Sequence, residues 1–359
     1  MKSFNADALR RAIGPARLAA ANDLVRETLT RHGLMTAGAT PAAMPAGLPA
    51  GLHLPGLAGA GPGAAPPAPL PDGASFEAAR FAGEAGGRDY LTYVPASASD
   101  GVQGLVLMLH GCTQTHADFA TGTGMNALAE THRLVIVYPQ QSRGENAQSC
   151  WNWFSPGDQR RGRGEPAILA GLARQVAQAH GVPPQRTFVA GLSAGAAMAV
   201  ILGRTHGDVF AAVGAHSGLP HGAARDVASA FAAMSATGTG TEHRAPRPDG
   251  HAARMILFHG DADHTVHPAN SDRIAADLLN HAPAQTLIAR EDGKRNGRGF
   301  TRETTTTTDG APLLERWTVK GLGHAWSGGR PGGSYADPAG PDASAEMVRF
   351  FLEHPAREG

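Results

Sequence analysis

Three short segments of the sequence carry residue types that suit nucleophilic acyl chemistry. The first is the pentapeptide Gly191–Gly195 (GLSAG), in which Ser193 stands between two glycines directly before an Ala-rich helical stretch. A serine on a tight turn between a strand and a helix is typical of a nucleophile. The other two segments are HGDAD, which ends at Asp263, and GLGHAW, which contains His324. Serine, acid and histidine in this chain order favour a Ser-His-Asp triad.

The acid of this triad has two candidates. Asp261 and Asp263 follow the same predicted strand, and either carboxylate would orient a histidine and stabilise its imidazolium. Each also has a simpler interpretation as a turn residue that closes its own loop. The spacing alone therefore leaves both aspartates open.

The segment HGCT suggests where an oxyanion would bind. It follows the apolar run 105–109, and hydrolases with this strand–turn–helix arrangement place an oxyanion donor after such a strand. We expect the backbone N–H groups of Cys112 and Ala194 to be the two donors. We expect the Cys112 thiol to be structural, either packed or bridged to Cys150, rather than nucleophilic.

The pattern of strands and helices around these residues predicts an α/β fold. Short apolar runs predict strands, and a mostly parallel sheet with helices on both faces follows from their alternation with helices. The predicted strands are 105–109, 134–138, 187–190, 211–215, 255–258 and 316–319, with an antiparallel edge strand at 90–94. The predicted helices are 125–131, 166–180, 194–205, 270–280 and 343–353. The reactive residues fall beyond the carboxyl ends of strands, where such sheets carry their sites.

Several distinctive blocks resemble the polyhydroxybutyrate depolymerase-type esterases of the α/β-hydrolase superfamily. They include LMLHGCTQTHADF, CWNWF, VAGLSAGAAMA, FHGDADHTVHPAN, GLGHAWSGG and GPDASAEMVRFFLEH, in order from residue 107 to residue 354. The resemblance implies an α/β-hydrolase fold without a cofactor. It also implies Ser193 as nucleophile, His324 as base, Asp263 as the triad acid and Cys112 as an oxyanion donor. The family includes secreted polyester depolymerases and related feruloyl and acetylxylan esterases.

The chain divides into three predicted parts. Residues 1–35 read as a helical segment, 36–73 as an Ala/Gly/Pro-rich linker without charged residues from 37 to 71, and 74–359 as the esterase domain. The N-terminus lacks the continuous apolar core of a signal peptide, so we expect a cytoplasmic protein, with secretion as the alternative that the resemblance implies. The helical segment could carry the domain to a partner such as a polymer granule.

Other features exclude classes of partner. The chain of 359 residues has 31 basic and 31 acidic side chains, which gives no electrostatic reason to bind nucleic acid. No apolar run reaches the ~20 residues of a membrane span. The histidines near Asp263 lack the spacing of a metal motif, and the two cysteines are too few for a thiolate zinc site, so we expect no metal. Trp151, Trp153 and Trp326 either line an acyl cleft or pack in the core.

Together these observations predict a serine carboxylic-ester hydrolase that cleaves hydroxyalkanoate esters, as polyester or as oligomers, through an acyl-enzyme. A feruloyl or acetylxylan esterase is the nearest alternative, because it would use the same machinery with a different pocket. A protein of another class, which binds a granule or a partner through the N-terminal helix, is the third interpretation. The complete triad argues against that last alternative.

Overall fold

The computed structural model describes residues 70–237, 253–282 and 285–353. The predicted N-terminal helical segment, and the linker up to residue 69, lie outside these residues. No helix among those described combines the length and apolar character needed to cross a membrane.

Ten strands of the described chain form one mixed sheet in the order β1-β2-β4-β3-β5-β6-β7-β10-β9-β8. The six strands from β4 to β10 are parallel, and antiparallel pairs extend both edges. The strands are β1 (Ser75–Gly83), β2 (Gly86–Val94), β3 (Gly104–Leu109), β4 (Leu134–Pro139), β5 (Thr187–Leu192), β6 (Ala212–His216), β7 (Arg254–Gly260), β8 (Thr286–Arg295), β9 (Arg298–Thr307) and β10 (Pro312–Val319). Two short strands, β11 (Trp326–Ser327) and β12 (Ala336–Asp337), pair separately.

Helices cover both faces of the sheet. They are α1 (His116–Thr123), α2 (Met125–His132), α3 (Gly164–Ala179), α4 (Ala194–Thr205), α5 (Val227–Met234), α6 (Ala269–Leu279) and α7 (Ala343–Leu352). Because successive residues of a strand point to opposite faces, β3 contributes Leu105, Leu107 and Leu109 to the core beneath α3 and α4. Val106 and Met108 enter the core shared with α1, α2 and α7. A strand buried on both faces must be apolar throughout, which is why apolar runs predicted it.

The predicted fold class is confirmed, and every predicted strand and every helix predicted in the described chain is present within a few residues. The predicted strands and helices did not include β1, β8, β9, the short β11 and β12, α1 and α5. In β1 only Phe81 is buried, so this edge strand has no apolar run. The region around 294–308 is a β-hairpin, whose turn at Asn296 and Gly297 has positive φ at both residues, as a tight two-residue hairpin requires.

The packing of α7 on the sheet yields a stability prediction. The ring of Phe351 is buried and stacks on Phe188 with ring centroids 4.8 Å apart. We expect Phe351→Ala to lower the free energy of unfolding by about 3–5 kcal/mol, because it removes a core ring and leaves a cavity. Leu287→Ala, on a side chain that is 63% exposed in β8, should change it by less than about 0.5 kcal/mol. Urea unfolding measures both, and equal effects would contradict the packing described here.

Candidate active site

Ser193 occupies a sharp turn between β5 and α4. Its backbone has φ 57° and ψ −118°, a left-handed conformation that costs free energy in a residue with a side chain. The turn leaves no room beside it: a Cβ on Gly195 would collide with the carbonyl oxygen of Leu109, and one on Gly191 would lie 2.6 Å from the carbonyl oxygen of Gly195. The two glycines of GLSAG are therefore required by the close packing of this turn on the end of β3.

His324 and Asp263 form the hydrogen-bonded pair that the site needs. The Nδ1–H of His324 donates to Oδ2 of Asp263 at 2.8 Å. The other carboxylate oxygen accepts the backbone N–H groups of Thr265 and Val266, each at 2.9 Å. Burial raises the pKa of Asp263, but the hydrogen bond and charge of His324 and the nearby His259 outweigh it and hold that pKa well below its usual range. The carboxylate is therefore ionised and orients the imidazole.

Asp261 has a different position. Its side chain is exposed and accepts the backbone N–H of Gly321 at 2.6 Å, while its own N–H donates to the carbonyl of Val319 at 3.1 Å. Asp261 thus connects the end of β7 with the start of the loop that carries His324. In this structure Asp263, and not Asp261, is the partner of the histidine.

The turn that carries Cys112 lies against the serine. A Cβ on Gly111 would stand 3.6 Å from Cβ of Ser193. The amides of Gly111 and Thr113 donate to Gln114 Oε1 at 2.9 Å and to the Gln148 carbonyl at 2.7 Å. Ala194 is the first residue of α4, so its N–H has no partner within the helix. The turn that contains Cys112 therefore lies beside Ser193 in space, and Ala194 follows Ser193 directly in the chain.

A disulfide holds the turn that contains Cys112. Cys112 is bonded to Cys150, a pairing that the sequence left open. The loop that contains Cys150 is held in turn by the buried carboxylate of Glu165, which accepts the backbone N–H of Asn152 at 2.8 Å and its side-chain amide at 2.9 Å. The turn at Cys112 is therefore fixed by covalent and hydrogen-bonded contacts.

The three tryptophans proposed for a substrate cleft pack around the site instead of lining it. Trp151, Trp153 and Trp326 are 0%, 6% and 1% exposed. The indole N–H of Trp151 donates to the carbonyl of His110 at 3.1 Å, and that of Trp326 donates to Oγ of Ser344 at 3.0 Å. Their rings serve as core, which was the other interpretation of the sequence.

His216 is a site residue that the sequence analysis missed. Its carbonyl accepts the N–H of Ser193 at 2.9 Å, and its Nε2 accepts the N–H of Ser327 at 3.0 Å. Its ring stacks on Trp326 and Phe258. Burial lowers the pKa of His216 to about 3, so the ring stays neutral and can accept. His216 joins the serine turn to the loop after His324. Its position directly after the predicted strand 211–215, at the end of β6 beside β5, was the available signal.

Among the residues described, no group of three His, Cys, Asp or Glu side chains is arranged to hold a metal ion.

Comparison with known proteins decides the family. Residues 88–305 match the family described as "Esterase PHB depolymerase". The chain belongs to this family. It is 36% identical over 234 residues to "Poly(3-hydroxyalkanoate) depolymerase C" of Paucimonas lemoignei, which covers 61% of this chain and 54% of that protein. It is 29% identical over 192 residues to "Probable acetylxylan esterase A" of Aspergillus flavus, covering 50% of this chain and 61% of that protein.

A solved structure supports the fold. The "Acetyl xylan esterase from Aspergillus awamori" superposes with a TM-score of 0.57 at 23% identity, covering 70% of this chain and 94% of that one. The esterase family expected from the sequence motifs is therefore confirmed, together with the α/β-hydrolase fold. The chain spans less than two thirds of the length of the curated relatives named here.

The two aspartates allow a direct test of the triad. Asp263→Asn should lower kcat by as much as ~10⁴, because the neutral amide no longer holds the imidazole in the right tautomer. Asp261→Asn should lower it by less than about tenfold, since only one loop contact is weakened. Steady-state ester hydrolysis by the two purified variants measures both. A larger loss with Asp261→Asn would contradict the geometry.

Buried histidines predict a pH-dependent stability. Burial lowers the pKa of His110 to about 4 and that of His216 to about 3, whereas both bind protons near pH 6.5 when unfolded. The unfolded chain therefore binds more protons as the pH falls from about 6.5 to about 4, and each histidine lowers the free energy of unfolding by up to about 1.4 kcal/mol per pH unit. Glu165, whose pKa burial raises to about 7, acts in the opposite direction.

Urea unfolding between pH 7 and pH 5 measures this slope. His216→Gln keeps an acceptor for Ser327 but does not titrate. The change in the free energy of unfolding per pH unit should therefore decrease by up to about 1.4 kcal/mol, which corresponds to one proton. A stability that rises as the pH falls through this range, or an unchanged slope in the variant, would contradict the assignment.

Proposed function

We propose that this chain is a serine carboxylic-ester hydrolase that acts on hydroxyalkanoate esters. The observation that carries the proposal is the His324–Asp263 pair, together with His216, which connects the loop of His324 to the strained turn of Ser193. A nucleophile, an oriented acid and a base beyond the carboxyl ends of β5, β7 and β10 form the arrangement of an acyl-transfer site.

The mechanism follows from these positions. His324 takes the proton of Ser193 as Oγ attacks the ester carbonyl, while Asp263 stabilises the imidazolium. The amides of Cys112 and Ala194 bind the developing oxyanion. The imidazolium then protonates the leaving alcohol, and an acyl-enzyme remains. Water, deprotonated by His324, attacks the acyl carbon and releases the acid and the free serine.

The substrate class rests on the relatives. A polyhydroxyalkanoate depolymerase is the relative with 36% identity, and "Poly(3-hydroxybutyrate) depolymerase" of Ralstonia pickettii is 26% identical over 290 residues, 74% of this chain and 58% of that protein. Both names support polyester or its oligomers as substrate. A polymer-granule surface as a further partner stays a prediction for the segment before residue 70.

A polysaccharide esterase is the second candidate. Acetylxylan esterases are among the relatives, and one of them shares the fold. The triad would serve an acetyl ester equally well, because the differences lie in what the pocket contacts.

A comparison of rates separates the two candidates. Purified full-length chain is assayed on a soluble 3-hydroxybutyrate oligomer, amorphous polyester film, methyl ferulate and an acetylated sugar, with Ser193→Ala as the blank. We expect the hydroxybutyrate esters to give the highest kcat/KM. Preference for the acetylated sugar or the ferulate would overturn the substrate class, and full activity in Ser193→Ala would overturn the mechanism.

The disulfide supports an oxidising compartment, the secreted alternative, because such bonds persist where thiols are not kept reduced. We expect the chain, purified without reductant and then denatured, to show no free thiol, and to show two after reduction. Reduction should also lower kcat by about tenfold or more, because the Cys112 amide is then held less firmly. Two free thiols in the untreated protein, or unchanged kcat after reduction, would contradict this role.

A further inference from the structure

Tyr335 stands between two parts of the catalytic machinery. Its ring packs edge-on against the ring of His324 with centroids 6.4 Å apart, and its hydroxyl lies 3.4 Å from Oγ1 of Thr113. Thr113 directly follows Cys112. The side chain of Tyr335 therefore spans the distance from the base to the oxyanion turn.

This tyrosine supplies the accessible aromatic surface that the tryptophans do not. Trp151, Trp153 and Trp326 are buried, whereas Tyr335 is half-buried and Thr113 is exposed. A half-buried ring beside the catalytic histidine can contact an apolar chain with little loss of side-chain freedom.

The loop that carries Tyr335 is clamped onto the oxyanion turn. Gln114 accepts the Gly111 N–H and donates through Nε2 to the carbonyl of Ser334 at 3.0 Å and to Asp118 at 2.9 Å. Asp118 in turn accepts the N–H of Ser334 at 2.9 Å. On the other side, the carbonyl of Tyr335 accepts the N–H of Trp326 at 2.7 Å. The ring is thus held on a rigid support.

Both residues of the hydroxyl pair have an unfavourable backbone. φ is 66° at Thr113 and 51° at Tyr335, a region that residues with side chains rarely adopt. The surrounding hydrogen bonds maintain these conformations, and such strain concentrates at ligand-binding positions.

We propose that Tyr335 is a substrate-contacting residue that selects for chains longer than one acyl unit. Its ring packs on the methyl and methylene groups of the hydroxyacyl unit next to the scissile ester, and its hydroxyl donates to the carbonyl of that unit. This inference rests on the proposed function. It adds a residue that determines the preference for longer substrates.

The experiment compares two esters in four full-length proteins. The esters are a 3-hydroxybutyrate trimer and p-nitrophenyl acetate, which has no neighbouring acyl unit; the proteins are the unsubstituted chain, Tyr335→Ala, Tyr335→Phe and Ile288→Ala. Ile288 is 69% exposed on the outer strand β8, so its variant controls for loss of a large exposed side chain. Thermal melts verify that each variant is folded.

We expect Tyr335→Ala to lower kcat/KM for the trimer roughly tenfold or more, mainly through KM, because a contact with the chain is lost. With p-nitrophenyl acetate the loss should be at least several-fold smaller than with the trimer, because any effect through His324 reduces both rates equally and only the trimer has an acyl unit for the ring to contact. Tyr335→Phe keeps the ring and should lower kcat/KM for the trimer alone, roughly threefold, as expected for one hydrogen bond. Ile288→Ala should match the unsubstituted chain on both esters.

Equal losses on both esters, in kcat and with a shifted pH profile, would show that Tyr335 only positions His324 and would overturn the inference. Unchanged kinetics in both Tyr335 variants would overturn it as well. If the unsubstituted chain hydrolyses neither ester, the proposed function fails and this inference with it. If it hydrolyses both and the Tyr335 variants do not discriminate between them, only this inference fails.

Discussion

The close approach of the Ser193 turn to the end of β3 is the constraint on which the rest of the site depends. Gly195 lies against the carbonyl of Leu109, so no side chain fits there, and the serine must adopt a left-handed backbone to pass from β5 into α4. The same contact places the turn of Cys112 next to Ser193, the proposed nucleophile. The backbone N–H groups of Cys112 and Ala194, which we propose as oxyanion donors, therefore belong to segments that meet at this contact.

The other two groups of the proposed triad lie on loops, and a loop keeps a fixed geometry only when further contacts hold it in place. Asp261 holds the start of the His324 loop, and His216 holds its end against the serine turn. The guanidinium of Arg298 adds a third contact, since it donates to the carbonyl of Gly321 at 2.6 Å. The position of His324 relative to the other members of the proposed triad thus depends on these surrounding polar contacts as well as on its bond to Asp263.

Local patterns predicted much of this arrangement. Strands buried on both faces are apolar throughout, and the serine turn needs its two glycines, so both are visible in the sequence. Spacing could not choose between Asp261 and Asp263, because the choice depends on which of the two carboxylates the histidine on the loop after β10 contacts in the folded chain. The family resemblance pointed to Asp263.

Features that depend on contacts between distant segments could not be determined from the sequence. Cys112 and Cys150 are separated by 38 positions, and only the folded chain shows that they meet. The burial of the tryptophans and the contact of Tyr335 with His324 are likewise set by packing between loops. The edge strand β1 was missed because a strand with one mostly exposed face lacks an apolar run.

The most direct test of the account is to identify the residue that a fluorophosphonate modifies. Such a reagent reacts with a serine that an adjacent base activates, and trypsin places Ser193 and Ser217 in separate peptides, which end at Arg204 and Arg225. Mass spectrometry should find one adduct, on the peptide with Ser193, and His324→Ala should abolish it. An adduct on Ser217, or modification of Ser193 that persists in His324→Ala, would contradict the central claim.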